Sequence, residues 1–164
     1  MAVIPKVLTG FEVARLCTRL TGRKCSPRQV HYLLVTGGLS GDARRRRNGQ
    51  TRVYTVLDVA FVRLALRLQD EGVSPAVARV TLTYLRTDLI RVWKASASVA
   101  LTVTGVHGSL QPVLKGRPPG VVAYVPLLEI WRGLEAELQR VCAARSELWM
   151  WRQVPVDAVP RANM

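Results

Sequence analysis

The chain has 164 residues, of which 49% are hydrophobic, so it has enough apolar side chains to build one modest domain and is not a disordered polycation. Its net charge is +13 and is unevenly placed. Residues 1–55 hold eleven Lys and Arg against two acidic residues (11 − 2 = +9), so the remaining residues carry only +4. This asymmetry indicates a polyanionic partner for the N-terminal third, and nucleic acid is the commonest one.

Other features narrow the class of protein. Three cysteines without a CxxC pair (Cys17, Cys25 and Cys142) indicate reduced thiols of a cytosolic protein, and no two have metal-ligand spacing. The N-terminus lacks a signal-peptide pattern, and no apolar run approaches the ~20 residues that span a bilayer. With only His31 and His107, and no paired carboxylates near a nucleophile, we predict no enzyme, no cofactor and no metal site.

The first elements predict a helix-turn-helix. Thr9 and Glu12 have capping-box spacing and begin a helix that ends at Thr21-Gly22. Ser26-Pro27 supplies an N-cap and a first-turn proline for a second helix, which is expected to reach about Val35. The inner face of the first helix is expected to hold Phe11, Val13, Ala14, Leu16, Cys17 and Leu20.

A hairpin and two further helices are predicted next. Asn48-Gly49 is a strong hairpin signal, and a hairpin that follows a helix-turn-helix is a wing. Residues 56–71 have helical periodicity, Gly72 ends that helix, and Ser74-Pro75 begins a fourth one, which loses its period after Arg86. The fourth helix is expected to carry Val77, Val80, Leu82 and Leu85.

The C-terminal half predicts a small sheet and a long helix. Segments 98–104, 108–114 and 120–125 favour two or three antiparallel strands, which are too short to be stable without a packing neighbour. From Pro126 onwards, heptad-like spacing predicts one helix that pairs antiparallel with a second copy of the chain. The predicted dimer-interface residues are Leu127, Trp131, Leu134, Leu138, Val141 and Leu148.

The predicted fold is therefore mainly α, of the α+β class. We expect a winged helix-turn-helix DNA-binding domain over residues 1–88 and a small β-rich element over 89–125. A dimerisation helix over 126–153 and a flexible tail over 154–164 follow.

This order of elements, together with short stretches within residues 9–85, resembles the MerR family of bacterial transcription regulators. The stretch 12–16 (EVARL) is similar to the family's first helix, and 26–32 (SPRQVHY) to its recognition helix. Stretch 38–39 resembles the exit from that helix, and 48–54 resembles the wing. Stretch 58–59 resembles the start of the third helix, and 72–74 the turn between the last two helices. The wing has one extra residue, His31 stands where the family usually has Arg, and Leu33 replaces a Tyr.

In helix-turn-helix proteins the start of the second helix meets base edges in the major groove. Arg28 is suited to guanine and Gln29 to adenine, while the resemblance implies a phosphate contact from Tyr32. The wing arginines are expected at the flanking minor groove or its phosphates, and Arg52 at a phosphate. The predicted DNA-binding residues are Ser26, Arg28, Gln29, His31, Tyr32, Arg44, Arg45, Arg46, Arg47, Arg52 and Tyr54.

The sequence thus predicts a cytoplasmic, nucleoid-associated regulator that binds promoter DNA as a homodimer. Two alternatives stay open. The protein is an autoregulating, antitoxin-like binder whose 89–125 element holds a small protein partner, or it is an architectural, excisionase-like DNA bender. The tryptophans are expected to be core or interface residues.

Overall fold

The computed structural model describes residues 3–4, 8–36, 53–95, 97–143 and 152–153, which form mostly helices and one three-stranded antiparallel sheet. Two short strands come first, β1 (Val3–Ile4) and β2 (Leu8–Thr9), and then helix α1 (Gly10–Thr21). The predicted capping box is confirmed, since Glu12 N donates to Thr9 Oγ1 at 3.4 Å.

Helix α2 (Pro27–His31) follows a short turn and continues into a π-helical turn (Tyr32–Thr36). The predicted start at Ser26-Pro27 is confirmed. The first helix differs from prediction at one end of its apolar face, because the Phe11 side chain is 76% exposed. Phe11 lies in the first turn of α1, ahead of the buried positions that begin at Glu12, so helical spacing alone gave it the wrong side.

Strand β3 (Val53–Tyr54) pairs antiparallel with β2, and helix α3 (Val56–Asp70) begins directly after it with a capping box of its own. Helix α4 (Pro75–Ala95) extends beyond the predicted loss of period after Arg86. Leu85, Leu89 and Trp93 continue its buried face, and the intervening polar residues lie on the other side. The predicted domain boundary at residue 88 therefore falls inside a continuous helix.

The predicted small sheet is confirmed. Strands β4 (Val99–Thr104), β5 (His107–Pro112) and β6 (Ala123–Pro126) are antiparallel in the order β5-β4-β6. Side chains on one face, including Leu101 and Val125, join the same buried core as the helices. This burial satisfies the expectation that such a small sheet packs on a neighbour.

The single long C-terminal helix is not observed. Helix α5 (Leu127–Trp131) ends at Arg132, which is extended, and Gly133 has a left-handed φ of 77° before helix α6 (Leu134–Ala143) begins. Strand β7 (Arg152–Gln153) then pairs with β1. The Arg63 guanidinium on α3 donates to the carbonyls of Ile130 and Arg132 at the break. A turn stabilised from outside the segment therefore interrupts the heptad-like pattern.

The break changes the role of the predicted dimer seam. Leu127, Leu134 and Leu138 are buried, and Trp131 is half-buried, all by packing within the chain. The predicted dimer seam is therefore corrected at these four residues, because they already pack against the chain's own core. The side chains of Val141 and Leu148 lie outside the described part, as does the predicted tail 154–164.

Aromatic packing joins α3, α4 and α5. The Trp93 ring meets Phe61 edge-on, with centroids 5.2 Å apart, and Trp131 stacks on Trp93 at 6.2 Å. Arg86 lies over the Phe61 ring at 5.7 Å. Trp93 is a core residue, and the half-buried Trp131 packs against the core beside it.

Candidate nucleic-acid interface

Helix α2 is held against the core by one face. Val30, Leu33 and Leu34 are buried at positions i, i+3 and i+4, so the helix and its π-helical turn cannot rotate without exposing apolar surface. Helix α1 packs against α2, and α3 packs against the π-helical turn. The core thus presents the other face of α2 at a fixed angle.

That other face carries the predicted recognition residues. Arg28, Gln29 and His31 are exposed, and the Tyr32 side chain is 48% exposed. Arg28 and Tyr32 are four positions apart, so they lie on one side of the helix, one above the other. A guanidinium and a phenol hydroxyl are thereby available side by side, both able to donate hydrogen bonds to an anionic or polar ligand.

The N-cap of α2 uses two of the predicted contact residues. Ser26 Oγ accepts from Gln29 N at 3.2 Å, and Gln29 Oε1 accepts from Ser26 N at 2.9 Å. A bidentate pair between Gln29 and adenine requires that same side-chain oxygen. Reading adenine in this way would therefore cost half of the capping box, whereas the Gln29 amide NH₂ can donate without disturbing it.

Tyr54 is a correction to the predicted contact set. Its side chain is 3% exposed, in β3 and beside the start of α1, where a Cβ on Gly10 would lie 3.6 Å from the Tyr54 ring. The residue belongs to the core because the β2–β3 pair places it beneath the helices. Arg44, Arg45, Arg46, Arg47 and Arg52 lie outside the described residues.

The basic side chains near this face differ in whether they form ion pairs. Arg23 binds Asp70 at 2.6 Å and Arg19 lies 3.5 Å from Glu137, so both are tied to neighbouring helices. Arg15, Lys24 and Arg28 are exposed and make no ion pair within the described part of the chain. Uncompensated cations of this kind attract a polyanion, and the screening length of salt limits their reach.

A thiol pair beneath α2 was missed at the sequence level. Cys17 and Cys25 are both buried, and Thr18 Oγ1 accepts from Cys25 N at 2.9 Å, which fixes the turn before α2 against α1. The neighbouring Cys25 side chain, together with burial, raises the pKa of Cys17 well above its usual value. The Cys17 side chain in turn lowers the pKa of Cys25. Cys25 lies eight positions after Cys17, so no standard motif marks them as neighbours.

Among the described residues no three His, Cys, Asp or Glu side chains are grouped to hold a metal ion. None of the helices in the described ranges is long and apolar enough to cross a membrane.

No family model, curated protein or solved structure matches the chain.

Proposed function

We propose that this protein is a MerR-like, sequence-specific DNA-binding regulator of transcription that acts on promoter DNA as a homodimer. The observation that carries the proposal is the division of α2 into two faces. One face is anchored by Val30, Leu33 and Leu34, and the other offers Arg28, His31 and Tyr32 to the outside. A rigid helix with polar and cationic side chains on its free face suits the major groove.

In the proposed complex each exposed residue has a distinct task. Arg28 makes a bidentate pair with guanine, which discriminates against other bases by ~1–3 kcal/mol. Tyr32 donates its hydroxyl to a backbone phosphate and sets the register of the helix. Arg15 and Lys24 add charge nearby, and Arg44–Arg47 of the predicted wing are proposed to contact the adjacent minor groove.

The test is selection of genomic DNA fragments by the purified protein, followed by footprinting of the enriched sites. The variants are Arg28→Ala, Tyr32→Phe and the matched control Lys115→Ala, which removes an exposed cation from the β5–β6 loop. We expect one protected inverted repeat near a promoter. Arg28→Ala should relax base preference at one position of each half-site, because only a base-edge contact carries sequence information.

Tyr32→Phe should weaken binding to all sites equally, because it removes a phosphate contact and no base contact. Lys115→Ala should leave the footprint unchanged. Binding that has no preferred site and is equally weakened by Arg28→Ala would replace the regulator with the architectural alternative. Absence of binding by the folded protein would refute both.

A further inference from the structure

Helix α4, the longest helix that the structure describes, has an exposed apolar stripe over which none of the described residues pack. On α4, Val80 is 60% and Tyr84 is 83% exposed, and both are large hydrophobic side chains. Val80 is one of the apolar residues that the sequence predicted on the fourth helix. A Tyr and a Val one helical turn apart form a continuous surface that water solvates poorly.

The stripe follows coiled-coil spacing. Val77, Val80, Tyr84, Thr87 and Arg91 alternate three and four positions apart, and all but the half-buried Val77 are exposed. Such 3-4-3-4 spacing keeps the side chains on one seam, which meets an equivalent seam on a second helix. The seam spans ~21 Å of helix at 1.5 Å per residue.

We infer that the α4 seam is the homodimer interface, with two copies of α4 crossing antiparallel about a two-fold axis. In this arrangement Tyr84 of one copy packs over Thr87 of the other, and Val80 packs against the aliphatic stem of Arg91. Each contact occurs twice, as a two-fold interface requires. The inference deepens the proposed function, because it supplies the surface for the dimer that the function needs.

Charge favours a second copy as the occupant. The whole chain carries +13, so most surfaces of two copies repel one another. Along the seam the exposed charged residue is Arg91, which already pairs with Asp88 at 3.5 Å, and the half-buried Lys94 occupies the next position of the same spacing. In the antiparallel arrangement Arg91 lies opposite Val80 and Lys94 opposite Val77, so two copies can meet there without placing one cation against another.

The neighbouring hairpin frames the seam on one side. Strand β5 packs against α4 so closely that a Cβ on Gly108 would lie 2.2 Å from Thr81 Cγ2. Thr81 and Leu85, which Gly108 approaches, are buried on the side of α4 next to the seam. The hairpin therefore fixes α4 from one side and leaves the stripe itself uncovered by β5.

Sedimentation velocity without DNA tests the interface independently of DNA binding. We expect the wild type to be a dimer at micromolar concentration, and Tyr84→Glu to raise the dimer dissociation constant roughly 30-fold or more, the effect of removing a central hot-spot residue. Leu114→Glu is the matched control, because it places the same charge on another exposed hydrophobic position. The control should dimerise like the wild type, with circular dichroism confirming that both variants are folded.

Photo-cross-linking identifies the occupant. With p-benzoylphenylalanine in place of Tyr84, we expect a cross-linked dimer in which the probe is attached to residues 80–91 of the second copy. A monomeric wild type, a dimer insensitive to Tyr84→Glu, or attachment to any other segment would each overturn the inference. Loss of DNA binding with an intact α4 cross-link would refute the proposed function and leave the interface standing.

Discussion

Arg63 is the residue that joins the N-terminal helices to the C-terminal pair. Its guanidinium satisfies the Ile130 and Arg132 carbonyls at the end of α5, and its half-buried position lowers its pKa without discharging it at ordinary pH. We expect Arg63→Met to lower the free energy of unfolding by ~1–3 kcal/mol, because two carbonyls lose a charged donor. Urea unfolding measures the loss.

The control for this prediction is Arg67→Met, one turn along α3. Arg67 is more exposed, and its ion pair within the described ranges is with Glu71, at 3.3 Å. An exposed pair contributes ~1 kcal/mol or less, so this variant should unfold close to the wild type. Equal effects of the two substitutions would show that the α5 break does not depend on Arg63.

The Cys17 and Cys25 thiols make stability depend on pH in the alkaline range. The raised pKa of Cys17 keeps it protonated in the folded chain at pH values where the unfolded chain ionises near 9.0. The contribution of the protonated Cys17 thiol to the free energy of unfolding is therefore fully present below about pH 9. It is lost as the pH rises towards the pKa of the folded chain. The pKa of Cys25 is lowered, so this thiol has the opposite effect: its contribution to stability is present above about pH 9 and is lost as the pH falls towards its folded pKa.

Above about pH 9, the advantage of the wild type over Cys17→Ala in urea unfolding should shrink by up to ~1.4 kcal/mol per pH unit. The difference between the two proteins isolates the thiol from lysine and tyrosine titration, which both share. Stability curves that stay parallel through this range would show that Cys17 ionises alike in the folded and unfolded chains.

At the scale of elements, one close contact sets the position of the β4–β5 hairpin. Gly108→Ala places a methyl group against Thr81 Cγ2, so we expect a loss of ~1–3 kcal/mol from overpacking. Thr81→Ser removes the opposing methyl and should restore part of the stability in the double variant. A coupling energy of at least ~0.5 kcal/mol in the double-mutant cycle supports the contact, and additive effects contradict it.

Element starts were the predictable part of the fold. Thr9 and Ser26 predict the starts of α1 and α2, because an N-cap is a local hydrogen bond between residues three positions apart. The exposed face of α2 was predictable for the same reason, because the spacing of its buried residues is local. The burial of Leu127 and Leu134 within the chain could not be predicted from their heptad-like spacing. Spacing shows which residues share a face, and it does not show whether that face meets the chain's own core or a second copy.

For the whole molecule, salt dependence connects the two proposals. Each subunit is expected to neutralise about six phosphates, so the affinity of one subunit should fall roughly as the −5th power of salt concentration. A dimer joined through α4 engages two half-sites at once, and its slope should approach about −10 on a two-half-site fragment.

Tyr84→Glu, assayed below its dimer dissociation constant, should bind a single half-site with a slope of about −5, because each copy then releases only its own counterions. Leu114→Glu carries the same added charge and should keep the steeper slope, so a change confined to Tyr84→Glu cannot arise from charge alone. Fluorescence anisotropy over a series of salt concentrations measures both slopes. A steep slope retained by Tyr84→Glu would mean that the two copies are held together on DNA by a surface other than the α4 seam.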